Sequence, residues 1–145
     1  MRYQTSVQDR QLADELDTLR WPPADFNHRL HIRLAYIYLC QHGQDEALRS
    51  MRDWTLRYLS HHGIDPAGKY NETLTRAWML AVRHFMACTT RSVSSEHFIA
   101  QNPRLLDSKI MMSHYTPERL WSVEARESFL EPDRAPIPRH LDPAA

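Results

Sequence analysis

Apolar residues at helical spacing, with almost no glycine between them, are the feature that most restricts the fold of this chain. The 145 residues include only Gly43, Gly63 and Gly68, and no Asn-Gly or Asp-Gly pair of the kind that closes a tight β-hairpin. In segment 72–88, as in most others, apolar residues recur every three to four positions and would share one helix face. We therefore predict an all-α fold, a single-domain bundle of about six to seven helices.

Capping and breaking residues give the expected bounds of these helices. Asn71 is a typical N-cap for segment 72–88, and Gly43 is expected to end an earlier helix in the left-handed conformation. The predicted helices cover residues 5–20, 24–42, 45–63, 72–88, 95–101 and 104–113, and a last one begins at Thr116-Pro117-Glu118.

Proline marks the end of the chain as different from the rest. Pro132, Pro136, Pro138 and Pro143 lie within the last fourteen residues, so we predict a helical domain over 1–131 and an extended Pro-rich tail over 132–145. At 145 residues the chain is long enough to bury a core without a disulfide or metal.

Charge and cysteine content exclude several classes of partner. Eighteen basic and eighteen acidic residues cancel, so we expect no nucleic-acid partner and no attraction to an anionic membrane. No apolar run approaches the roughly 20 residues of a membrane span, and the N-terminus lacks the apolar core of a secretory signal. Cys40 and Cys88 lie in apolar helical segments, which is more typical of free, reduced thiols than of a disulfide. These features together predict a cytoplasmic protein.

Two histidines in the second predicted helix are the first candidates for a site. On a helical wheel, His28 and His31 lie in one inward stripe with Tyr38, whereas Arg29 and Arg33 face water. Side chains three positions apart are about 5–6 Å apart at Cβ, so both imidazoles could reach one metal ion or one substrate. The alternative is that backbone carbonyls, a hydroxyl such as that of Tyr38, or water satisfy them.

Glu72 is the best third member of such a site. It lies in the first turn of the fourth predicted helix, where the helix dipole favours an ionised carboxylate. Alternatively, Glu72, Arg76 and Arg83 share one helix face and form a solvated edge of ion pairs. His114 precedes a helix start and could reach the same site from a loop.

These residues resemble the signature of a group of short, uncharacterised all-α bacterial proteins. Its motifs read F-x-H-x-x-H-x-R-x-A-x-x-Y-L, Y-H-E-T, N-P-x-L-L, Y-[ST]-x-E-x-L and A-R-x-x-F-x-x-P-D. They match Phe26, His28, His31, Arg33, Ala35, Tyr38 and Leu39, then Tyr70, Glu72 and Thr73, then segments 102–106, 115–120 and 125–133. No activity is established for the group, so the resemblance implies a shared fold and site without a reaction. Asn71 stands where the group has histidine.

The leading hypothesis is a small all-α enzyme that acts on a small organic molecule. His28, His31 and Glu72 would be the catalytic residues, either as ligands of a divalent metal such as zinc, iron or manganese, or as a general acid/base set. The acid/base version would suit an isomerase, lyase or cyclase. We assign substrate binding to Tyr38, Arg76 and His114.

Two other classes remain open from the sequence. The same pocket would serve a non-catalytic small-molecule-binding protein, with arginines such as Arg33, Arg76 and Arg83 in partner contacts. A protein-interaction module would instead use its four tryptophans for core and interface packing. A homodimer through an apolar helix face is compatible with each class.

Overall fold

The computed structural model describes residues 2–142 and is built from helices. The α-helices are α1 (Val7–Asp17), α2 (His28–Gln41), α3 (Gln44–His61), α4 (Glu72–Ala87), α5 (Ser95–Gln101), α6 (Pro117–Leu120) and α7 (Val123–Glu127). Short 3-10 helices cover Pro23–Asp25, Pro66–Gly68, Pro103–Leu106 and Ser108–Ser113. Over this range there is no β-strand, only an isolated bridge between Tyr3 and Ser92. The all-α class is confirmed, and none of the helices in 2–142 is both long and apolar enough to span a membrane.

Local side-chain contacts explain one helix that the sequence predicts well and one that it does not. The Asn71 side chain accepts a hydrogen bond from the Leu74 N–H at 2.9 Å and caps α4 as predicted. The helix predicted over 104–113 is wrong, because the chain forms two 3-10 helices separated at Asp107. The Asp107 carboxylate accepts a hydrogen bond from the Lys109 N–H, a local contact that competes with an α-helix.

Gly43 does not have the predicted role. Its φ is −64°, an ordinary value, and it serves as the N-cap of α3 instead of a left-handed cap of α2. A Cβ at this position would lie 2.8 Å from Oδ2 of Asp142, so glycine is needed for a close approach of the C-terminal segment. Gly63, with φ +69°, does end the turn after α3 in the left-handed conformation.

The core is formed mainly where α2, α3 and α4 pack against one another. Helix α2 is buried on nearly all sides, and the side chain of Arg33 is largely buried as well. Its guanidinium donates to Oγ of Ser95 at 2.9 Å and contacts Oδ1 of the fully buried Asp9 at 3.3 Å. The prediction that Arg33 faces water is therefore wrong, because α1 and α5 cover this side of α2 as well.

The end of the chain is extended, and its described part lies against the helices. The Ala135 N–H donates to the Ser113 carbonyl at 3.2 Å, and the Ile137 side chain is buried. Asp142 accepts a hydrogen bond from the Gln44 N–H at the start of α3. Residues 143–145, which belong to the predicted tail, lie outside the described residues.

Candidate functional site

A cavity of about 360 Å³ lies between α2, α3, the first turn of α4 and the loop that joins α3 to α4. Its lining is mostly apolar and aromatic, with a small number of polar side chains, which is the usual composition of a small-molecule site. The lining residues are Pro23, Phe26, His31, Trp54, Thr55, Tyr58, Leu59, Ile64, Lys69, Tyr70, Asn71, Leu74 and Thr75.

Three aromatic rings form one wall of this cavity. The Phe26 ring centroid lies 5.2 Å from that of Trp54 and 5.7 Å from that of Tyr58, and the last two rings stack at 4.8 Å. Hydrogen bonds hold two of the rings in place, because Trp54 Nε1 donates to the Leu16 carbonyl at 2.9 Å and the Tyr58 hydroxyl donates to the Trp21 carbonyl at 2.5 Å. The wall is therefore a fixed apolar surface that suits a planar ligand.

His31 presents the imidazole of the site. Burial, together with the positive charge that His28 would carry, lowers the pKa of His31 to about 4. The ring is therefore neutral near pH 7, with one nitrogen as donor and the other as acceptor. Among residues 2–142 no protein group forms a hydrogen bond with either ring nitrogen, and the nearest aromatic contact is Phe26, at 6.1 Å between ring centroids.

Most other polar groups of the lining are bonded to the protein. Thr55 and Thr75 donate their hydroxyls to backbone carbonyls at 2.7 and 2.9 Å, and the Asn71 amide donates to the Leu120 carbonyl at 2.8 Å. The Lys69 ammonium is exposed and has no partner within the described range. His31 and Lys69 are thus the lining side chains whose polar atoms have no protein partner in residues 2–142.

His28 faces a different part of the protein from His31. Its Nε2 lies 2.8 Å from the Leu105 carbonyl oxygen, and because a carbonyl only accepts, Nε2 carries the proton. The ring also meets that of Trp78 edge-on, at 4.7 Å between centroids. His28 does not line the cavity. Its hydrogen bond to a backbone carbonyl agrees with the alternative hypothesis from the sequence, in which protein groups and not a ligand satisfy the imidazole.

Glu72 forms hydrogen bonds with two side chains, Arg52 and Tyr70, that were not predicted as its partners. Its Oε1 and Oε2 accept hydrogen bonds from Arg52 Nε and Nη2 at 2.8 and 2.5 Å, and Oε1 also accepts from the Tyr70 hydroxyl at 2.6 Å. Burial raises the pKa of Glu72, but the bonds from Arg52 and Tyr70 outweigh it and hold the pKa below its ordinary value. The proposed solvated edge with Arg76 and Arg83 is not formed, because the ion-pair partner is on α3.

The residues predicted as metal ligands do not fit a metal centre as they are arranged. Within residues 2–142 no group of three or more His, Cys, Asp or Glu side chains is placed so that it could hold a metal ion. Within the described residues His28 is bonded through Nε2 to Leu105 and Glu72 is bonded to Arg52, so of the predicted set only His31 has both ring nitrogens unused.

The predicted substrate-binding residues lie away from the cavity. Tyr38 is half-buried, and burial is the main cause that raises its pKa to about 12, with Asp17 and Asp53 adding to the rise. His114 bonds through Nδ1 to the Ala135 carbonyl at 2.7 Å. Arg76 lines a second, smaller cavity of about 140 Å³.

The aromatic wall and the lysine were not predicted from the sequence. Trp54 and Tyr58 lie four residues apart on α3, a spacing that is equally typical of core packing, and both side chains are buried. The signal that would have found the site is the long loop after Gly63, because a loop between two packed helices leaves space at their ends. Lys69, one of only two lysines, lies in that loop.

Comparisons of the chain with protein-family models, with curated proteins and with solved structures find no match.

Proposed function

We propose that the protein binds a small, planar organic anion in the cavity beside His31. The observation that carries this proposal is that the cavity lining has one apolar aromatic part and one part with unused polar groups. One fixed aromatic wall faces a cavity whose only polar side chains without a protein partner, among residues 2–142, are a neutral imidazole and an ammonium group. A ring packed against the aromatic wall would be shielded from water on that face, and His31 would hydrogen-bond to a polar substituent.

Lys69 gives the proposed ligand its charge. The ammonium lies at the exposed loop, so it favours a carboxylate at the mouth of the cavity and not in its interior. A volume of about 360 Å³ is at the lower end of small-molecule pockets, which favours a ligand of one or two rings. Small aromatic carboxylates have this chemistry.

The proposal is tested by titration with benzoate and 2-naphthoate, each compared with its neutral amide, and followed by tryptophan fluorescence because Trp54 is part of the wall. The expected result is tighter binding of the acids than of the amides. Lys69→Gln should remove that preference, and Lys109→Gln is the matched control because Lys109 is the other lysine and is exposed.

His31→Gln should weaken both acid and amide, since it changes the hydrogen bond inside the cavity. His42→Gln is the control for loss of an imidazole, because His42 is exposed and lies at the C-cap of α2, outside the cavity lining. Equal affinities of wild type and His31→Gln for every probe would refute the assignment of the site.

A second candidate function is catalysis of the isomerase, lyase or cyclase type at the same place. It is favoured by the unbonded state of His31, because a neutral imidazole facing a ligand can accept a proton at one nitrogen and return it. The test is incubation of phenylpyruvate, an aromatic acid with an acidic C–H next to a carbonyl, in heavy water, followed by NMR detection of deuterium at carbon. Exchange that wild type catalyses and His31→Gln does not would establish proton transfer, and no exchange would leave binding alone.

The wider organisation is part of the same proposal. We assign the cavity to the helical domain predicted over 1–131, and the described part of the predicted Pro-rich tail, residues 132–142, covers another side. The protein acts in the cytoplasm, without a nucleic-acid or membrane partner, and shares its site with the bacterial group that the motifs resemble. A homodimer would use exposed apolar side chains such as Val7, Trp121 and Val123, and light scattering on the purified chain tests it.

A further inference from the structure

The smaller cavity, of about 140 Å³, lies on the opposite side of α4 from the aromatic wall, between the start of α3 and the C-terminal segment. Its charged and polar lining consists of Gln44, Asp45, Arg76, Arg139 and His140. Two guanidinium groups and one carboxylate therefore face a space large enough for one small polar group, and the lining carries excess positive charge.

Arg76 has donors that no protein acceptor uses. Its guanidinium lies over the Phe129 ring, 4.4 Å from the centroid, and among residues 2–142 it makes no hydrogen bond or ion pair. Arg139 lies on the same ring at 5.8 Å. Its Nη2 donates to both carboxylate oxygens of Glu131, at 2.8 and 3.0 Å, which leaves Nε and Nη1 unused. Phe129 thus holds two arginines beside one cavity with unused donors.

Arg83, on the same side of α4, is a further arginine with unused donors. It lies seven residues after Arg76, and therefore nearly on the same helix face two turns later. Only 6% of Arg83 is exposed, yet Nε and Nη1 are buried without a partner within the described range. Its Nη2 donates to the Leu141 carbonyl at 2.8 Å, in the segment that also supplies Arg139 to the cavity. A buried guanidinium in this state favours the approach of a further negative charge.

The nearby carboxylates do not supply that charge. Glu131 is paired with Arg139, and Asp142 accepts from the backbone N–H and the side-chain amide of Gln44 at 2.9 and 3.1 Å. Asp45 is the one carboxylate in the lining. Among residues 2–142 neither Asp45 nor Asp142 forms an ion pair with Arg76 or Arg83, so both guanidinium groups keep donors for a ligand.

His140 adds an imidazole N–H donor to the same cavity. Its Nε2 lies 2.8 Å from Nδ1 of His84, whose own Nε2 lies 3.8 Å from Sγ of Cys88. One consistent arrangement has the thiol donating to His84 and His84 donating to His140. The proton of His140 is then on Nδ1, where it is available to an acceptor in the cavity.

We propose that this cavity binds a phosphate group, either as inorganic phosphate or as the monoester of a small molecule, through Arg76, Arg139 and His140. Guanidinium groups bind phosphate through paired N–H donors, and two of them with an imidazole N–H match the several acceptor oxygens of that group. Asp45 would repel a fully ionised phosphate dianion. It therefore favours a ligand with one protonated oxygen, which can donate a hydrogen bond to the Asp45 carboxylate.

The test is isothermal titration of protein prepared in phosphate-free buffer with inorganic phosphate and, in a second arm, with phenyl phosphate. Arg76→Gln and Arg139→Gln should each weaken binding about tenfold or more. Arg139 is about half exposed, so its variant keeps the test valid even if Arg76→Gln fails to fold. Arg104→Gln, an exposed arginine with no side-chain contact, is the control for lost positive charge.

Binding of inorganic phosphate alone would assign the site to the free ion, and tighter binding of phenyl phosphate would assign it to a monoester. No heat in either arm at millimolar ligand would overturn the proposal, as would equal weakening by Arg104→Gln. As a second readout, phosphate should shift the ring resonances of His140 and His84 in nitrogen-labelled protein and leave those of exposed His97 unchanged.

Discussion

Replacement of Glu72 by glutamine tests whether this carboxylate stabilises the packing of α3 against α4 or contributes directly to ligand binding in the cavity. Glu72 accepts two hydrogen bonds from Arg52 and one from the Tyr70 hydroxyl, so its partners lie on α3 and in the loop before α4. The Glu72 side chain is 13% exposed and that of Arg52 is 37% exposed. The pair is therefore only partly shielded from water.

The expected loss of stability follows from those contacts. A hydrogen bond to a charged group contributes about 1.5–3 kcal/mol net. Because water reaches Arg52 and screens the pair, we reduce the value for the whole pair to about 1–2 kcal/mol. Glutamine is nearly isosteric and keeps one acceptor, so Glu72→Gln should lower the free energy of unfolding by about 1.5 kcal/mol and Tm by about 3–6 °C.

The assay is a double-mutant cycle with urea denaturation of wild type, Glu72→Gln, Arg52→Gln and the double variant. We expect a coupling energy of about 1 kcal/mol, and additivity within about 0.3 kcal/mol would refute the reasoning. The pH dependence gives a second check. Because the folded-state pKa of Glu72 is lowered, its contribution is present above the unfolded carboxyl pKa of about 4.3 and is lost as pH falls through the folded value. The difference between wild type and Glu72→Gln should therefore shrink in acid.

Three further predictions concern other buried contacts. Asp9→Asn should cost about 3 kcal/mol in urea denaturation at pH 7, because the buried carboxylate accepts hydrogen bonds from the Ser95 N–H and hydroxyl as well as from Arg33. Since the Asp9 pKa is lowered, that cost should shrink below about pH 4. Gly43→Ala should destabilise the chain by about 1 kcal/mol by displacing Asp142, and a cycle with Asp142→Ala should show that cost to be absent in the double variant. His28→Phe should cost about 1–3 kcal/mol in the same assay, since the Leu105 carbonyl loses its donor, while fluorescence titration with 2-naphthoate should show unchanged affinity.

Several parts of the fold were predictable because they depend on neighbours within one turn. The cap at Asn71 and the helix over 95–101 follow from a side chain and the backbone N–H three positions later, or from the spacing of apolar residues. The helix predicted over 104–113 failed at Asp107 for the same kind of reason, since a local side-chain contact there competes with the α-helix.

The candidate site was predictable only in part. The helical stripe correctly places both His28 and His31 against other elements of the protein. It does not show that one ring meets the carbonyl of residue 105 and the other an aromatic cavity, because the neighbours of a helix face come from distant segments. The partner of Glu72 is likewise on α3, twenty residues earlier in the chain.

The sequence by itself thus determined the helical class, most helix bounds and the candidate histidine, because these depend on backbone propensity, capping and periodicity over a few residues. Only the tertiary structure decided which imidazole faces a cavity, which carboxylate is neutralised by which arginine, and which donors are left for a ligand. Those outcomes depend on burial and on partners as far apart as His28 and Leu105, and both arise only when the helices pack.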